Sequence, residues 1–372
     1  MKRRVVILGA SGSIGTSALK VVRNLGGRIE VVGASAHTNR DVLDAIRAEF
    51  PAARCVLSGG PGGEEELVRL AQHEDADMVL VAIVGTAGLS PALAAIEAGK
   101  DLAVASKEIL VMAGEIVMEA AKKKGVRVLP VDSEHNAIFQ CLEGRPAGSV
   151  RRLILTCSGG PFRELPREAF SGVTPAMALR HPTWKMGRKI TVDSATLFNK
   201  ALEMIEARWL FGVGMDRVDV VIHPQSVIHS MVEFVDCSVL AQLSYSDMCF
   251  PIHYAFTWPE RIPGNLRSMD FAALGRLEFF EPRRADFPAL DLAVRAGEAC
   301  GTMPAVLNAA NEVAVESFLG GRLDFPGIWR VVGDVMRRCR HVDKPDLETL
   351  LDVDGEARAC AASMIAGGLA TD

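Results

Sequence analysis

The sequence of 372 residues lacks any apolar run that approaches the ~20 residues needed to span a membrane. It also lacks a basic excess: the formal net charge is −5, whereas a general nucleic-acid or membrane-surface binder needs surplus positive charge. Its eight cysteines show no C-x-x-C spacing, and a chain of this length needs no disulfide framework. These absences predict a globular, cytoplasmic protein with reduced thiols and neither nucleic acid nor membrane as a partner.

The first third of the chain alternates apolar runs with helical patterns. The runs are RVVILGA, IEVVGASA, ARCVLS, MVLVAI, DLAVAS and VRVLPV. The first follows a basic start, but it is too short for a signal peptide and passes straight into a glycine turn. Continuous apolar strands alternating with helices predict a parallel sheet covered on both faces. We therefore expect an α/β protein whose residues 1–131 form a doubly wound, Rossmann-like, nucleotide-binding domain.

The pattern changes after residue 131. Three closely spaced strand candidates follow, VDVVIHP, SVIHSMVEFVD and SVLAQLSY, and the short turn between the last two predicts an antiparallel hairpin. We expect a central α+β domain over residues 132–260 and a Pro-rich linker over residues 261–289. Gly and Pro then punctuate helical segments, which predicts a C-terminal α-helical domain over residues 290–372.

The segment GASGSIG places Gly9, Gly12 and Gly15 between the first strand and a helix. This spacing is a variant of the dinucleotide fingerprint, in which glycines let the backbone approach a pyrophosphate at the helix N-terminus. An ordinary tight turn would show the same letters, but the βαβ context favours a dinucleotide. The second strand ends in GASAHTN, without the Asp or Glu that binds the ribose 2′-hydroxyl of NAD. NADP is therefore favoured over NAD.

The segment VDSEHN follows a predicted strand and contains Asp132 and Glu134. A plain helix start explains both acids, because Asp or Ser is a normal N-cap and Glu in the first turn complements the helix dipole. Yet they lie at the carboxyl end of a strand, where doubly wound sheets bind ligands. Two close carboxylates also repel each other unless a cation or proton intervenes. The stretch alone leaves both interpretations open, and a third carboxylate would favour a metal site.

Residues 181–207, HPTWKMGRKITVDSATLFNKALEMIEA, carry many groups suited to an anion: His181, Lys185, Arg188, Lys189, Ser194, Asn199 and Lys200. Glu203 lies four residues after Asn199 and three after Lys200, so a helix would put all three on one face. A solvated helix face with a Lys–Glu pair would show the same spacing. HPTWKMG fits either a mobile loop whose Trp184 covers a ligand or a loop whose Trp184 packs onto the core.

Six segments, in order, carry a resemblance: GASGSIG, VDSEHNAIFQCLEG, SGGPFR, HPTWKMGRKITVDSATLFNKALEMIEA, VIHPQSVIHSMVEF and LNAANEVAVESFL. Together they resemble the 1-deoxy-D-xylulose 5-phosphate reductoisomerase family, which acts in the methylerythritol phosphate route to isoprenoids. The resemblance spans nearly the whole chain. It implies an NADPH- and metal-dependent homodimer whose central domain is catalytic. This enzyme would isomerise and reduce its small phosphorylated sugar to 2-C-methyl-D-erythritol 4-phosphate.

The resemblance also implies roles for individual residues. The Mg²⁺ or Mn²⁺ ligands, with Co²⁺ as a further candidate ion, would be Asp132, Glu134 and Glu203, and the catalytic set would add Lys107 and Lys200. Substrate contacts would come from Lys107, Ser133, Glu134, Ser158, His181, Trp184, Ser194, Asn199, Lys200 and Glu203. NADPH contacts would come from Ser11, Gly12, Ser13, Ile14, Asn39, Ser106, Glu108 and Gly187.

Some positions depart from the family pattern, and two alternatives remain. Ser106 stands where the family commonly has Asn, and His37 and Thr38 replace the usual pair near the adenosine phosphate. One alternative is an NADP-linked dehydrogenase of another small phosphorylated carbonyl compound, which needs no set of three carboxylates. The other is a non-catalytic nucleotide-sensing protein, which is expected to have lost an acid or the Lys200 ammonium.

Overall fold

The computed structural model describes residues 2–181, 183–184 and 186–368, and these form two compact units. The first unit contains the described residues up to Leu110, then Gly114–Gln140 and Asp247–Met269. The second contains Val111–Ala113, Cys141–Ser246 and the described residues from Asp270 onward. The predicted functional division at residues 131, 260 and 289 stays a prediction, and the compact units divide the chain at other places.

A six-stranded parallel sheet organises the first unit. Its strands are β1 (Arg3–Leu8), β2 (Ile29–Ala36), β3 (Arg54–Leu57), β4 (Met78–Val81), β5 (Asp101–Val104) and β6 (Val128–Pro130). Their order is β3-β2-β1-β4-β5-β6, and every pairing is parallel. The strand order reverses between β1 and β4, which is where doubly wound sheets bind ligands. The predicted Rossmann-like fold is confirmed.

A four-stranded mixed sheet lies in the second unit. Its strands are β7 (Val150–Cys157), β8 (Val218–Ile222), β9 (Ile228–Phe234) and β10 (Val239–Leu243), in the order β10-β9-β7-β8. The predicted hairpin is confirmed, because β10 pairs antiparallel with β9. Strands β7 and β8 pair in parallel, and such a pair needs a long crossover connection. Helices between residues 175 and 211 supply that connection.

Helices fill the connections and the C-terminal part. In chain order they are α1 (Ser13–Asn24), α2 (Arg40–Glu49), α3 (Gly63–Ala71), α4 (Leu89–Glu97), α5 (Lys107–Lys124), α6 (Ser133–Leu142), α7 (Pro175–Ala178), α8 (Arg188–Thr196), α9 (Phe198–Phe211), α10 (Cys249–Thr257), α11 (Phe271–Leu274), α12 (Ala289–Ala299), α13 (Met303–Leu319), α14 (Gly327–Arg338) and α15 (Leu347–Ala366). The helical character predicted after residue 290 is confirmed. Within the described ranges, no helix has both the length and the apolar character to cross a membrane.

Helix α10 returns the chain to the first unit. Its Ile252 and Phe256 belong to the core formed by β1, β2 and α1. The Arg3 guanidinium on β1 donates to the carbonyl oxygens of Phe256 at 2.7 Å and Trp258 at 2.9 Å. This return was not predictable, because the periodicity of CFPIHYAFT indicates a buried helix without indicating which core buries it.

Aromatic rings form part of the core of the second unit. The Phe170 ring lies 5.1 Å from that of Phe287, 5.7 Å from that of Phe325 and 6.0 Å from that of Trp329, measured between centroids. Tilted and edge-on contacts of this kind contribute about 0.5–1.5 kcal/mol each beyond the burial of their area. This cluster joins the turn that holds Phe170 to the helices after residue 288.

Candidate active site

The three glycines of the turn after β1 differ in the space around them. A Cβ at Gly15 would lie 2.4 Å from Ala10 Cα, and one at Gly9, whose φ is +90°, would lie 2.4 Å from Ala82 O. A Cβ at Gly12 would meet only Gly9 O, at 3.5 Å. The fold therefore requires Gly9 and Gly15, whereas Gly12 leaves open space at the start of α1. That open space fits a pyrophosphate, which the backbone N–H groups of a helix N-terminus bind.

Two other predicted cofactor residues of the first unit, Asn39 and Ser106, already have structural partners. Asn39 caps α2, since its Oδ1 accepts the Val42 N–H at 3.2 Å. The Ser106 hydroxyl is buried and donates to Ile83 O, and Glu108 is buried in the first turn of α5. Ser11, Ser13 and Ile14 flank Gly12 in the glycine turn. Any NADPH contact by Asn39 or Ser106 is thus made by a side chain that also holds the local fold.

Two neighbouring strands of the first unit bring an ammonium and a carboxylate together. Lys107 follows β5 and Asp132 follows β6, and Lys107 Nζ lies 2.5 Å from Asp132 Oδ2. Helix α6 begins at Ser133, whose Oγ donates to Glu134 Oε2 at 2.5 Å. The helix start and the acid cluster at the end of the strand are therefore one feature. Lys107, Asp132, Ser133 and Glu134 form a polar group in the first unit.

Helix α9 carries a second polar group, in the other unit. Asn199 Nδ2 donates to Glu203 Oε1 at 2.5 Å, and Lys200 Nζ donates to Glu203 Oε2. The alternative of a solvated Lys–Glu face is wrong, because the Lys200 and Glu203 side chains are only 2% and 1% exposed. Burying an ion costs roughly several kcal/mol, because the ion loses its hydration, unless it is paired and hydrogen-bonded. These three side chains satisfy that requirement for one another.

His181 and Ser158 form a directed hydrogen bond. His181 Nδ1 accepts the backbone N–H groups of Thr183 at 3.2 Å and Trp184 at 2.9 Å, so the ring proton lies on Nε2. Nε2 therefore donates to Ser158 Oγ at 3.1 Å. Burial lowers the pKa of His181 to about 4, which keeps the ring neutral near pH 7. Ser158 Oγ also accepts the Gly160 N–H at 3.2 Å, so its own proton can be donated to a ligand.

The predicted substrate residue Ser194 lies on α8, next to the turn that holds Ser158. Its Oγ donates to Ile190 O at 3.0 Å. Gly160, with a φ of +68°, packs against this helix, since a Cβ there would lie 2.6 Å from Ser194 O. Gly187, a predicted NADPH contact, is the N-cap residue of α8, and a Cβ there would meet nothing nearer than 4.0 Å.

His229 on β9 was not predicted from the sequence. Its ring lies 6.3 Å from that of Trp184 between centroids, and its Nε2 donates to Ser244 O at 3.2 Å. Burial, with the nearby Lys200 charge as a smaller cause, lowers the pKa of His229 to about 4. A polar imidazole within the apolar strand VIHSMVEF was the signal that could have identified it. Lys185 and Pro182 lie outside the described residues.

Comparison with known proteins identifies the family. A model of 1-deoxy-D-xylulose 5-phosphate reductoisomerase matches residues 5–60 and 60–114, and models of its C-terminal domains match residues 128–211 and 243–360. The 1-deoxy-D-xylulose 5-phosphate reductoisomerase of Symbiobacterium thermophilum is 50% identical over 382 aligned positions, covering 97% of this chain and 98% of that protein. The chain belongs to the 1-deoxy-D-xylulose 5-phosphate reductoisomerase family.

Solved structures of this family agree with the fold. The 1-deoxy-D-xylulose 5-phosphate reductoisomerase of Zymomonas mobilis, in complex with NADPH, superposes with a TM-score of 0.88 at 38% identity, covering 98% of this chain and 99% of that one. A DOX-P reductoisomerase in complex with NADPH, fosmidomycin and magnesium gives 0.90 at 36% identity over 100% of both chains. The predicted family and the predicted reductoisomerase activity are confirmed, so the chain is an enzyme.

Proposed function

We propose that the polar groups described above convert 1-deoxy-D-xylulose 5-phosphate to 2-C-methyl-D-erythritol 4-phosphate, with NADPH and a divalent cation. The observation that carries this proposal is the buried Glu203, held by Asn199 and Lys200. A plain dehydrogenase has no need for such a carboxylate, and a nucleotide sensor has no reason to retain it. The pair of the buried Lys107 with the partly buried Asp132 supports the same conclusion.

The metal ligands would be Asp132, Glu134 and Glu203. Their donor atoms are carboxylate oxygens, which suit Mg²⁺ or Mn²⁺ better than Zn²⁺. Ammonium groups neutralise two of these carboxylates in the structure, Lys107 at Asp132 and Lys200 at Glu203. With these carboxylates holding a cation, Lys107 and Lys200 would be able to turn to the substrate. When bound, the cation would supply a Lewis acid that polarises the substrate ketone and holds its neighbouring hydroxyl.

The substrate phosphate would be held by hydroxyl, amide and ammonium groups of the second unit. Ser158 would donate its proton, because His181 and Gly160 fill the acceptor positions of its oxygen. Ser194 would turn its hydroxyl away from Ile190 O towards the phosphate. Asn199 and Lys200 would add an amide donor and a positive charge, and Ser133 would contact the sugar. A neutral His181 suits this role, since it orients Ser158 without adding a charge of its own.

NADPH would bind at the glycine turn, through Ser11, Gly12, Ser13 and Ile14. Asn39, Ser106, Glu108 and Gly187 are proposed as further contacts. A 2′-phosphate suits the end of β2, because His37, Thr38 and Asn39 are exposed there and none of them is an acid. When bound, NADPH supplies the hydride, and the chain positions it. The segment 181–187 would act as a lid whose Trp184 excludes water from the aldehyde formed by the isomerisation. We also propose a homodimer in the cytoplasm.

The test is NADPH oxidation with 1-deoxy-D-xylulose 5-phosphate, measured with Mg²⁺ and with a chelator. The wild type should turn over only with the cation, and Glu203→Gln should lose about a hundredfold or more in kcat, since a metal ligand is lost. Glu97→Gln is a matched control, because Glu97 is an exposed carboxylate that pairs with Lys124 at 2.7 Å. Full activity without divalent metal, or in Glu203→Gln, would refute the mechanism. Absence of turnover in the wild type would refute the function.

A further inference from the structure

Asp193 on α8 is a buried carboxylate that the proposed chemistry does not use. It is 2% exposed, yet each of its oxygens has a partner. Asn311 Nδ2 on α13 donates to Oδ1 at 2.8 Å, and Lys189 Nζ lies 3.0 Å from Oδ2. Asn311 is fully buried. Burying a carboxylate is costly unless its hydrogen bonds are satisfied, so the bonds to Asp193 have to be formed whenever the helix is in place.

The order of charges on α8 is unfavourable for the helix itself. Arg188 and Lys189 occupy its first turn, where the helix dipole disfavours cations. The Lys189–Asp193 pair runs with the cation towards the N-terminus, which is the weaker orientation for an i,i+4 pair. Local helix stability therefore does not explain why an acid stands at position 193. The hydrogen bond that Asp193 accepts from Asn311 explains the acid, because it connects α8 to a different helix, α13.

The bond to α13 fixes the rotation of α8 about its own axis. Ser194 follows Asp193 directly, so its side chain projects about 100° further round the helix. The carbonyl of Ser194 lies against Gly160, in the turn that presents Ser158. Helix α8 is thus held by α13 through Asp193 and bordered by the Ser158 turn at Ser194. A small rotation of α8 would move Ser194 relative to Ser158.

We propose that Asp193 and Asn311 are positioning residues for phosphate binding. They lock α8 so that the Ser194 hydroxyl meets the same phosphate as the Ser158 hydroxyl. The inference rests on the proposed function, since Ser194 is a phosphate ligand only there. The segment LNAANEV of α13 would thus position the phosphate site, although α13 supplies no proposed ligand.

The test compares three variants with the wild type: Asn311→Asp, the exchanged pair Asp193→Asn with Asn311→Asp, and Asn308→Leu. Asn311→Asp places two carboxylates in contact, whereas the exchange restores one amide and one carboxylate. Asn308→Leu is the matched control, because Asn308 is an equally buried amide on α13 that donates to Glu312 at 3.3 Å and not to α8. The readouts are KM for the sugar phosphate, KM for NADPH, and the Kd of inorganic phosphate by calorimetry.

Asn311→Asp should raise both the sugar-phosphate KM and the phosphate Kd about tenfold or more, as misplaced substrate-binding groups do. KM for NADPH should stay within about twofold of the wild type. The exchanged pair should return the sugar-phosphate KM and the phosphate Kd to wild-type values, and Asn308→Leu should leave these two constants unchanged. Equal effects of Asn311→Asp and Asn308→Leu, no effect of Asn311→Asp, or no recovery in the exchanged pair would overturn the inference. The phosphate Kd separates this result from a failure of the proposed function, because it needs no turnover.

Discussion

His181 donates its Nε2 proton to Ser158 Oγ at 3.1 Å, and two backbone N–H groups at Nδ1 fix that direction. The Ser158 oxygen therefore accepts from His181 and Gly160, and its own proton can be donated elsewhere. In the proposed phosphate site the two side chains would act as one donor, in which the imidazole orients the hydroxyl and the hydroxyl contacts the anion. Removing either side chain should therefore weaken the same donor, and single and double variants can measure this coupling.

His181→Phe keeps a ring of similar size but removes the bond to Ser158. We expect KM for the sugar phosphate to rise about five- to tenfold, which corresponds to one lost hydrogen bond of about 1–1.5 kcal/mol. Ser158→Ala should raise it by a similar factor, and the double variant should add little more, because both changes remove the same donor. Steady-state kinetics of the four proteins measures this cycle. Fully additive effects would show that the two residues act independently.

Two histidines, the partly buried His181 and the buried His229, predict how stability depends on pH. Burial lowers the pKa of both His181 and His229 to about 4, below the ordinary value of 6.5. Between these two pH values the unfolded chain binds protons that the folded chain does not bind. The free energy of unfolding therefore falls as the pH is lowered from 6.5 towards 4, and this contribution is complete above pH 6.5.

Urea unfolding of the wild type and His229→Gln between pH 6.5 and pH 4.5 measures this effect. The variant should show a shallower pH dependence, by up to about 1.4 kcal/mol per pH unit, which is the value for one proton. The two curves should converge in slope above pH 6.5. Parallel curves across the acidic range would mean that His229 binds its proton equally well in the folded and unfolded chain.

Much of the fold follows from local patterns in the sequence. The six apolar runs of the first third became β1–β6, because parallel strands buried on both faces are continuous apolar segments. The hairpin of β9 and β10 followed from its short turn. The break between α8 and α9 was not predictable, since it lies at Leu197, whose left-handed φ of +64° is unusual for a branched residue. Leu197 and its two neighbours, Thr196 and Phe198, are all buried, so their surroundings come from tertiary packing that local sequence does not specify.

The site was predictable in its residue types and less so in its bonds. The spacing of Asn199, Lys200 and Glu203 placed them on one helix face, and the structure shows that arrangement. Spacing could not reveal that Lys189, expected to suit an anion, pairs with Asp193. It also could not connect Asp193 to Asn311, which lies 118 residues later in the chain. Contacts between distant segments depend on the packing of helices, which sequence periodicity does not specify.

Asn39 offers a test of the preference for NADPH. Asn39→Asp should keep the cap of α2, because Asp accepts the Val42 N–H as well as Asn does. Its charge should repel a 2′-phosphate and favour a free 2′-hydroxyl. We expect the ratio of kcat/KM for NADPH to that for NADH to fall about tenfold or more, with an unchanged unfolding midpoint. An unchanged ratio would place the 2′-phosphate away from this helix start.

Single substitutions in the glycine turn should change NADPH binding and folding stability separately. Gly12→Ala adds a methyl group to open space at a φ of −77°, which alanine adopts without strain, so the free energy of unfolding should stay within about 1 kcal/mol of the wild type. The same methyl group would occupy the space proposed for the pyrophosphate, and the Kd of NADPH should rise about tenfold or more.

Gly15→Ala is the counterpart on the same turn. Its methyl carbon would lie 2.4 Å from Ala10 Cα, and the backbone shift that relieves this overlap should cost about 1–3 kcal/mol of unfolding free energy. Urea unfolding and NADPH titration of both variants give the two quantities side by side. Wild-type NADPH affinity in Gly12→Ala would place the cofactor elsewhere. Wild-type stability in Gly15→Ala would show that α1 can move away from the turn at little cost.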